Sequence, residues 1–222
     1  MDFIFMLTRN DQTVEDCLDV MDLIKDVGLT HVGFKDVGVD RETLDKLNKK
    51  IKESGAISYL EVVSTDKESC LQSARVAAEV GVDRLLGGTD ADGILEIIKG
   101  TNVNYYPFPG FPVGHPTDLG GKAEDVEKHC REFVAKGCAG VDLLAYRATD
   151  DDPIALARAA RAGLGDKLLI AAGSVDSREL IKALTEAGVD AFTIGTAVFN
   201  GHFSPDKGSI LNQLRDVLEA CK

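Results

Sequence analysis

Positive charge is in short supply in this sequence of 222 residues: 25 Lys and Arg stand against 37 Asp and Glu, a formal net charge of -12. A surface of that sign repels nucleic acid and anionic membranes, so neither is an expected partner. Long apolar runs are also missing, and none approaches the roughly 18 residues that a membrane span needs. The cysteines, Cys17, Cys70, Cys130, Cys138 and Cys221, are odd in number and too scattered for a metal knuckle. They read as free thiols of a reducing, cytoplasmic compartment. The four histidines are equally dispersed, so no metal is expected. No Gly-x-Gly-x-x-Gly follows the first apolar run, which argues against a nicotinamide dehydrogenase. No Gly-rich loop ends in Gly-Lys-Ser or Gly-Lys-Thr, so there is no nucleotide P-loop. The opening stretch Met1 to Leu7 is apolar but has no basic leader and is cut short by Arg9, Asn10 and Asp11. It reads as a strand rather than a signal peptide.

What is present is one pattern repeated eight times. A short apolar run is followed by polar residues, a helical stretch and usually a glycine, in units of about 28 residues that suit βα repeats. The predicted strands are Phe3 to Leu7, His31 to Lys35, Ile57 to Val63, Arg84 to Leu86, Val103 to Tyr106, Gly140 to Leu144, Leu168 to Ala171 and Ala191 to Ile194. The first helix is predicted from Val14, with Thr13 as its cap. Eight units without a break favour closure into a (βα)8 barrel over a doubly wound open sheet, as a single domain spanning residues 1–222. Chemistry in such a barrel gathers at the C-terminal ends of the strands.

The seventh unit reads Ala171-Ala172-Gly173-Ser174-Val175 and the eighth Ile194-Gly195-Thr196-Ala197. In each, a glycine sits where an apolar strand gives way to a turn. Without a Cβ, the backbone there admits an anion to its N–H groups, and a helix starting behind adds its own free amides and dipole. Gly173, Ser174, Gly195 and Thr196 are therefore the predicted phosphate-binding residues. These two segments resemble the paired phosphate motifs of the ribulose-phosphate-binding barrel superfamily, which includes sugar-phosphate epimerases, decarboxylases and aldolases. The motif resemblance covers about Leu168 to Phe199. It implies a small phosphorylated metabolite and leaves the reaction open; barrels of this type often form dimers, so a homo-oligomer is allowed. A flavin phosphate would fit the same place, but nothing in the sequence requires one and no cofactor is expected.

Polar side chains inside apolar strands need partners, because unpaired burial costs several kcal/mol. Period-two alternation puts Gly33 and Lys35 on one face of the second strand with Phe34 opposite, and Tyr59 and Glu61 on one face of the third. Lys35, Glu61 and, on the sixth strand, Asp142 are the predicted catalytic residues. Arg9, Thr89, Asp90, His115 and Arg147 follow other strands and are the candidate substrate-binding residues. His115 belongs to the Pro- and Gly-rich connection Pro107 to Gly121, which reads as a rigid lid or specificity loop. The run Asp150-Asp151-Asp152 reads as a helix start rather than a metal cradle.

A lysine among carboxylates serves either of two mechanisms. As an ammonium ion it stabilises an enolate while a carboxylate moves the proton; with a lowered pKa it attacks a carbonyl and forms a Schiff base. The expected function is an isomerase or epimerase acting on a phosphorylated sugar or sugar acid. A lysine-dependent aldolase or decarboxylase is the near alternative, and a non-catalytic phosphometabolite-binding protein the third.

Overall fold

Ile4 and Met6 of the first strand point to one side, into a small apolar cluster, and Phe3, Phe5 and Leu7 to the other, into a much larger one. The same alternation recurs in seven further strands of the computed structural model, which describes residues 1–222. The strands are β1 (Asp2–Met6), β2 (His31–Lys35), β3 (Ile57–Glu61), β4 (Arg84–Leu86), β5 (Asn104–Tyr106), β6 (Gly140–Leu143), β7 (Leu168–Ala171) and β8 (Ala191–Ile194). All are parallel, each beside its neighbour in sequence, and β8 pairs with β1. Between β5 and β6 the seam carries isolated bonds, Ala139 N–H to Tyr105 O at 3.0 Å and Asp142 N–H to Pro107 O at 3.0 Å. The result is a nearly closed (βα)8 barrel.

Helices α1 (Cys17–Ile24), α2 (Arg41–Glu53), α3 (Lys67–Val80), α4 (Ala91–Ile98), α5 (Ala123–Lys136), α6 (Pro153–Leu164), α7 (Arg178–Glu186) and α8 (Ile210–Ala220) alternate with the strands. Side-chain caps start several of them: Asp40, Asp66 and Asp152 each accept from backbone amides in the first turn. No helix is long and apolar enough to cross a membrane. The larger cluster lies between strands and helices, as the outward residues Phe5, Phe34, Leu60, Leu85, Val141, Leu169 and Phe192 show.

The barrel interior is layered. Its floor is polar: Tyr59 Oη lies 2.8 Å from His31 Nδ1 and accepts a hydrogen bond from Arg84 Nη1 at 2.6 Å. The middle holds Ile4, Met6, Leu86, Tyr106, Ile170 and Ala191. The top is polar again, with Lys35, Glu61, Asp142 and Thr193 all buried. Inward positions of successive strands thus pass from a hydrogen-bonded floor through an apolar plug to a charged mouth.

Three expectations need correction. Thr13 does not cap α1, which starts later, at Cys17, after Asp16. Instead Thr8–Arg9 and Gln12–Thr13 form a hairpin, and the Thr13 hydroxyl accepts from Lys35 N–H at 2.8 Å and donates to Lys35 O at 2.7 Å. The strand edge beyond β1 competes successfully for a residue that local patterning assigns to a helix. The third strand ends at Glu61 rather than Val63, because Lys35 and Leu86, the register partners of Glu61, are the last residues of β2 and β4. The predicted Pro107 to Gly121 loop contains a second hairpin, Phe111–Val113 with Asp118–Gly120, held down by the acidic run: Asp150 accepts from Gly121 N–H at 2.9 Å and Asp151 from Ala123 N–H at 2.9 Å.

Candidate functional site

At the C-terminal mouth, a cavity of about 350 Å³ is lined by Thr8, Asp11, Lys35, Glu61, Arg147 and the segments 173–176 and 193–197. That volume suits a small metabolite. Lys35 ends β2 and Glu61 ends β3, and they are register partners. Lys35 Nζ lies 3.4 Å from Glu61 Oε1 and 2.7 Å from Asp11 Oδ1. Burial by itself would push the Lys35 pKa down, but the Glu61 and Asp11 charges outweigh it and hold the pKa above the ordinary lysine value. The ammonium form therefore persists at neutral pH.

Asp142 enters from β6 and is wholly buried, and neither of its carboxyl oxygens has a hydrogen-bond partner. Burial, followed by repulsion from Glu61, pushes its pKa well above the usual carboxylate range; attraction to Lys35 and Arg147 offsets this only in part. Burial thus favours the protonated form of Asp142 beside the Lys35 ammonium and the Glu61 carboxyl group, an arrangement suited to separating proton donor from proton acceptor.

The turns after β7 and β8 line the same cavity as the lysine. Gly173 and Ser174 both adopt positive φ, 79° and 59°. The backbone N–H groups of Gly173, Ser174 and Gly195 donate to no atom of the protein. Free, converging amides are a ready anion site. The glycines are required for reasons beyond backbone access. A Cβ on Gly173 would lie 2.7 Å from Arg147 Nε, so the bare α-carbon is the surface on which the arginine rests. A Cβ on Gly195 would lie 2.6 Å from Thr8 Oγ1 and 2.8 Å from Thr8 O, so this glycine lets β8 turn across the end of β1. Thr196 opens a helical turn of only four residues, Thr196–Phe199, too short for much of a helix dipole.

Arg147 joins the two halves. From the helical turn Ala145–Arg147 after β6, its Nη1 donates to Thr117 O at 3.3 Å and its Nη2 lies 3.7 Å from Asp11 Oδ1. Most of the guanidinium donors remain free.

No protein-family model matches this sequence, and no curated protein matches it. Solved structures do. Orotidine 5'-phosphate decarboxylase from Pyrococcus horikoshii superposes with a TM-score of 0.68 at 12% identity, covering 99% of this chain and 98% of that one. Thiamine phosphate pyrophosphorylase from Pyrococcus furiosus gives 0.68 at 12% identity, covering 99% and 95%. A structure described as native KDPGal gives 0.68 at 13% identity, covering 99% and 94%. The chain is a (βα)8 barrel whose fold is similar to that of these structures. At such identities the likeness is one of fold.

Within this barrel, Lys35, Glu61, Arg147, Gly173, Ser174, Gly195 and Thr196 share the cavity, and Asp142 lies buried close behind it. Four of the residues predicted to bind substrate lie elsewhere. Arg9 follows Thr8 in the hairpin and points the other way; its guanidinium donates to Phe199 O at 3.1 Å and sits over the Phe199 ring. Thr89 is exposed, and Asp90 caps α4 while pairing with Lys67 at 3.0 Å. Gly87 and Gly88, both at positive φ, turn the chain straight into that helix. His115 is exposed at the tip of the second hairpin, and only its neighbour Pro116 lines the cavity. Asp92 pairs with Lys136, and no group of three His, Cys, Asp or Glu side chains lies close enough to hold a metal ion.

Two cavity-lining acids escaped the sequence reading, Asp176 and, more consequentially, Asp11. The signal for Asp11 was available: Asn10-Asp11 is a pair suited to the left-handed backbone of a two-residue hairpin turn. Asn10 and Asp11 have φ values of 50° and 59°. Which strongly charged neighbour that turn would approach is a matter of tertiary contact.

Proposed function

We propose that this protein is an isomerase or epimerase that enolises a small phosphorylated sugar or sugar acid. One observation carries the reading: a single cavity is lined by a charged lysine and a carboxyl group and also by unsatisfied backbone amides beside an arginine. A phosphate bound at Gly173, Ser174, Gly195 and Arg147, with help from the Ser174 and Thr196 hydroxyls, anchors one end of the substrate, and its binding energy orients the other. The Lys35 ammonium then faces the carbonyl oxygen and stabilises the negative charge that develops on it. Glu61 removes the proton from the adjacent carbon, and the neutral Asp142 supplies a proton on the return step.

The close pairing of Lys35 with both Asp11 and Glu61 favours this over a Schiff base, which needs a neutral amine. A panel of phosphorylated aldoses, ketoses and sugar acids in heavy water tests it. The expected result is exchange of the proton next to the carbonyl, with no adduct on Lys35 after borohydride reduction. A stable Lys35 adduct would replace enolisation by the lysine-dependent aldolase alternative. Tight binding of the whole panel without exchange or turnover would leave a metabolite-binding protein.

A further inference from the structure

The short hairpin after β1 does more than connect. Its two central residues, Asn10 and Asp11, both stand in the left-handed region, which Asn and Asp adopt readily in a two-residue hairpin turn. The second strand holds this turn in place. Thr13 exchanges two hydrogen bonds with the Lys35 backbone, and Thr13 N–H donates to Val37 O at 2.9 Å. A Cβ on Gly38 would collide with Thr13, so that glycine lets the two segments close together. The hairpin is thereby stapled along the end of β2, and its turn delivers the Asp11 carboxylate to within 2.7 Å of Lys35 Nζ.

We propose that Asp11 is a positioning residue for Lys35: the stapled turn carries its carboxylate over the lysine and fixes the direction of the ammonium group within the cavity. The inference rests on the reading of this cavity as the place where Lys35 meets substrate, and it adds a residue from a third element to the β2 and β3 pair. Lysine has four rotatable bonds, and Glu61 at 3.4 Å cannot by itself define the direction of a tetrahedral ammonium. A second and nearer acceptor, Asp11 at 2.7 Å, defines it and leaves an N–H donor for substrate.

The groups facing Lys35 are Asp11 from the hairpin, Glu61 from β3, Asp142 from β6, Arg147 from the turn after β6, and Asp36 on its own segment. His115 from the second hairpin acts on Asp11 in turn, where its charged form favours the carboxylate. Against this background the charge of Asp11 has a separable effect.

The test is the pH dependence of Lys35 carbamylation by cyanate, followed by peptide mass analysis from neutral to strongly alkaline pH. Cyanate reacts with the neutral amine, so the midpoint reports how firmly the ammonium is held. Asp11→Asn should lower the midpoint and speed modification about tenfold or more at pH values below it, one pKa unit being a tenfold change. Asp11→Gly, which also tolerates positive φ, should do the same, and Asp11→Glu should restore most of the original midpoint. An unchanged midpoint in both Asp11→Asn and Asp11→Gly would overturn the proposal. Because the readout needs no turnover, failure of the enolisation reading leaves this result standing, and failure here leaves proton exchange by the native protein untouched.

Discussion

Lys35 and Glu61 occupy matched register positions at the ends of two neighbouring parallel strands, and their charged groups meet 3.4 Å apart inside the barrel mouth. Parallel pairing makes this meeting a consequence of the backbone: once His31 pairs with Ile57, every second residue along β2 and β3 shares the inner face.

Replacing Glu61 by Gln keeps the shape and removes the proposed base. Proton exchange into the substrate should fall by about 10²–10⁴-fold, the usual contribution of general base catalysis. Substrate affinity should change far less, because the amides of Gly173, Ser174 and Gly195 are untouched. Nuclear magnetic resonance in heavy water, together with equilibrium binding, separates the two quantities.

Asp142 makes a pH prediction with a definite sign. Its folded-state pKa is raised by burial and by Glu61, so between the ordinary carboxyl pKa and the raised one the folded protein holds a proton that the unfolded chain has released. Stability from this group is complete below the ordinary pKa and declines as pH rises towards the raised one, by about 1.4 kcal/mol per pH unit at most. Asp142→Asn should flatten that decline and be more stable than the native protein at the upper end of the window. Urea denaturation at a series of pH values checks it; parallel stability curves for the two proteins would contradict the assignment.

The two glycines of the phosphate-facing turns should respond differently to alanine. At Gly173 the obstacle is the flexible Arg147 side chain, with a positive φ added. The expected stability cost is about 1 kcal/mol, together with weaker binding of inorganic phosphate as Arg147 is displaced. At Gly195 the obstacles include the carbonyl oxygens of Thr8 and Met6, which cannot swing away. There the cost should be larger, about 1–3 kcal/mol or more. Denaturation and phosphate titration of both variants distinguish the cases.

At the floor of the barrel, Tyr59→Phe should remove the shared partner of His31 and Arg84. The hydroxyl is buried, and burial pushes its pKa above the ordinary phenol value, so it acts there as a neutral hydrogen-bonding group. Its loss should cost about 1–3 kcal/mol by leaving buried donors unsatisfied. Proton exchange at the mouth should remain near the native level, since the apolar layer separates the two ends. A large loss of exchange without a loss of stability would show that the floor and the mouth are coupled.

Much of this protein was legible in the order of its residues. Eight apolar runs at regular spacing announce the strands, and period-two alternation places Lys35, Glu61 and Asp142 inside, because side-chain direction along a strand is a local property. The glycines at 173 and 195 mark turns for the same reason. Other features are not local. Arg9, Thr89, Asp90 and His115 stand after strands just as Arg147 does, yet their neighbours draw them to Phe199, to solvent, to Lys67 and to the tip of a hairpin. The capture of Thr13 by Lys35 and the arrival of Asp11 at the lysine come from contacts between segments more than 20 residues apart. Periodicity along the chain determined which side chains face inward, and pairing of adjacent strands brought Lys35 to Glu61; only the packing of the hairpin and the turn after β6 over the mouth decided that Asp11 and Arg147 meet them, because a Coulomb interaction depends on a distance in space that strand spacing does not specify.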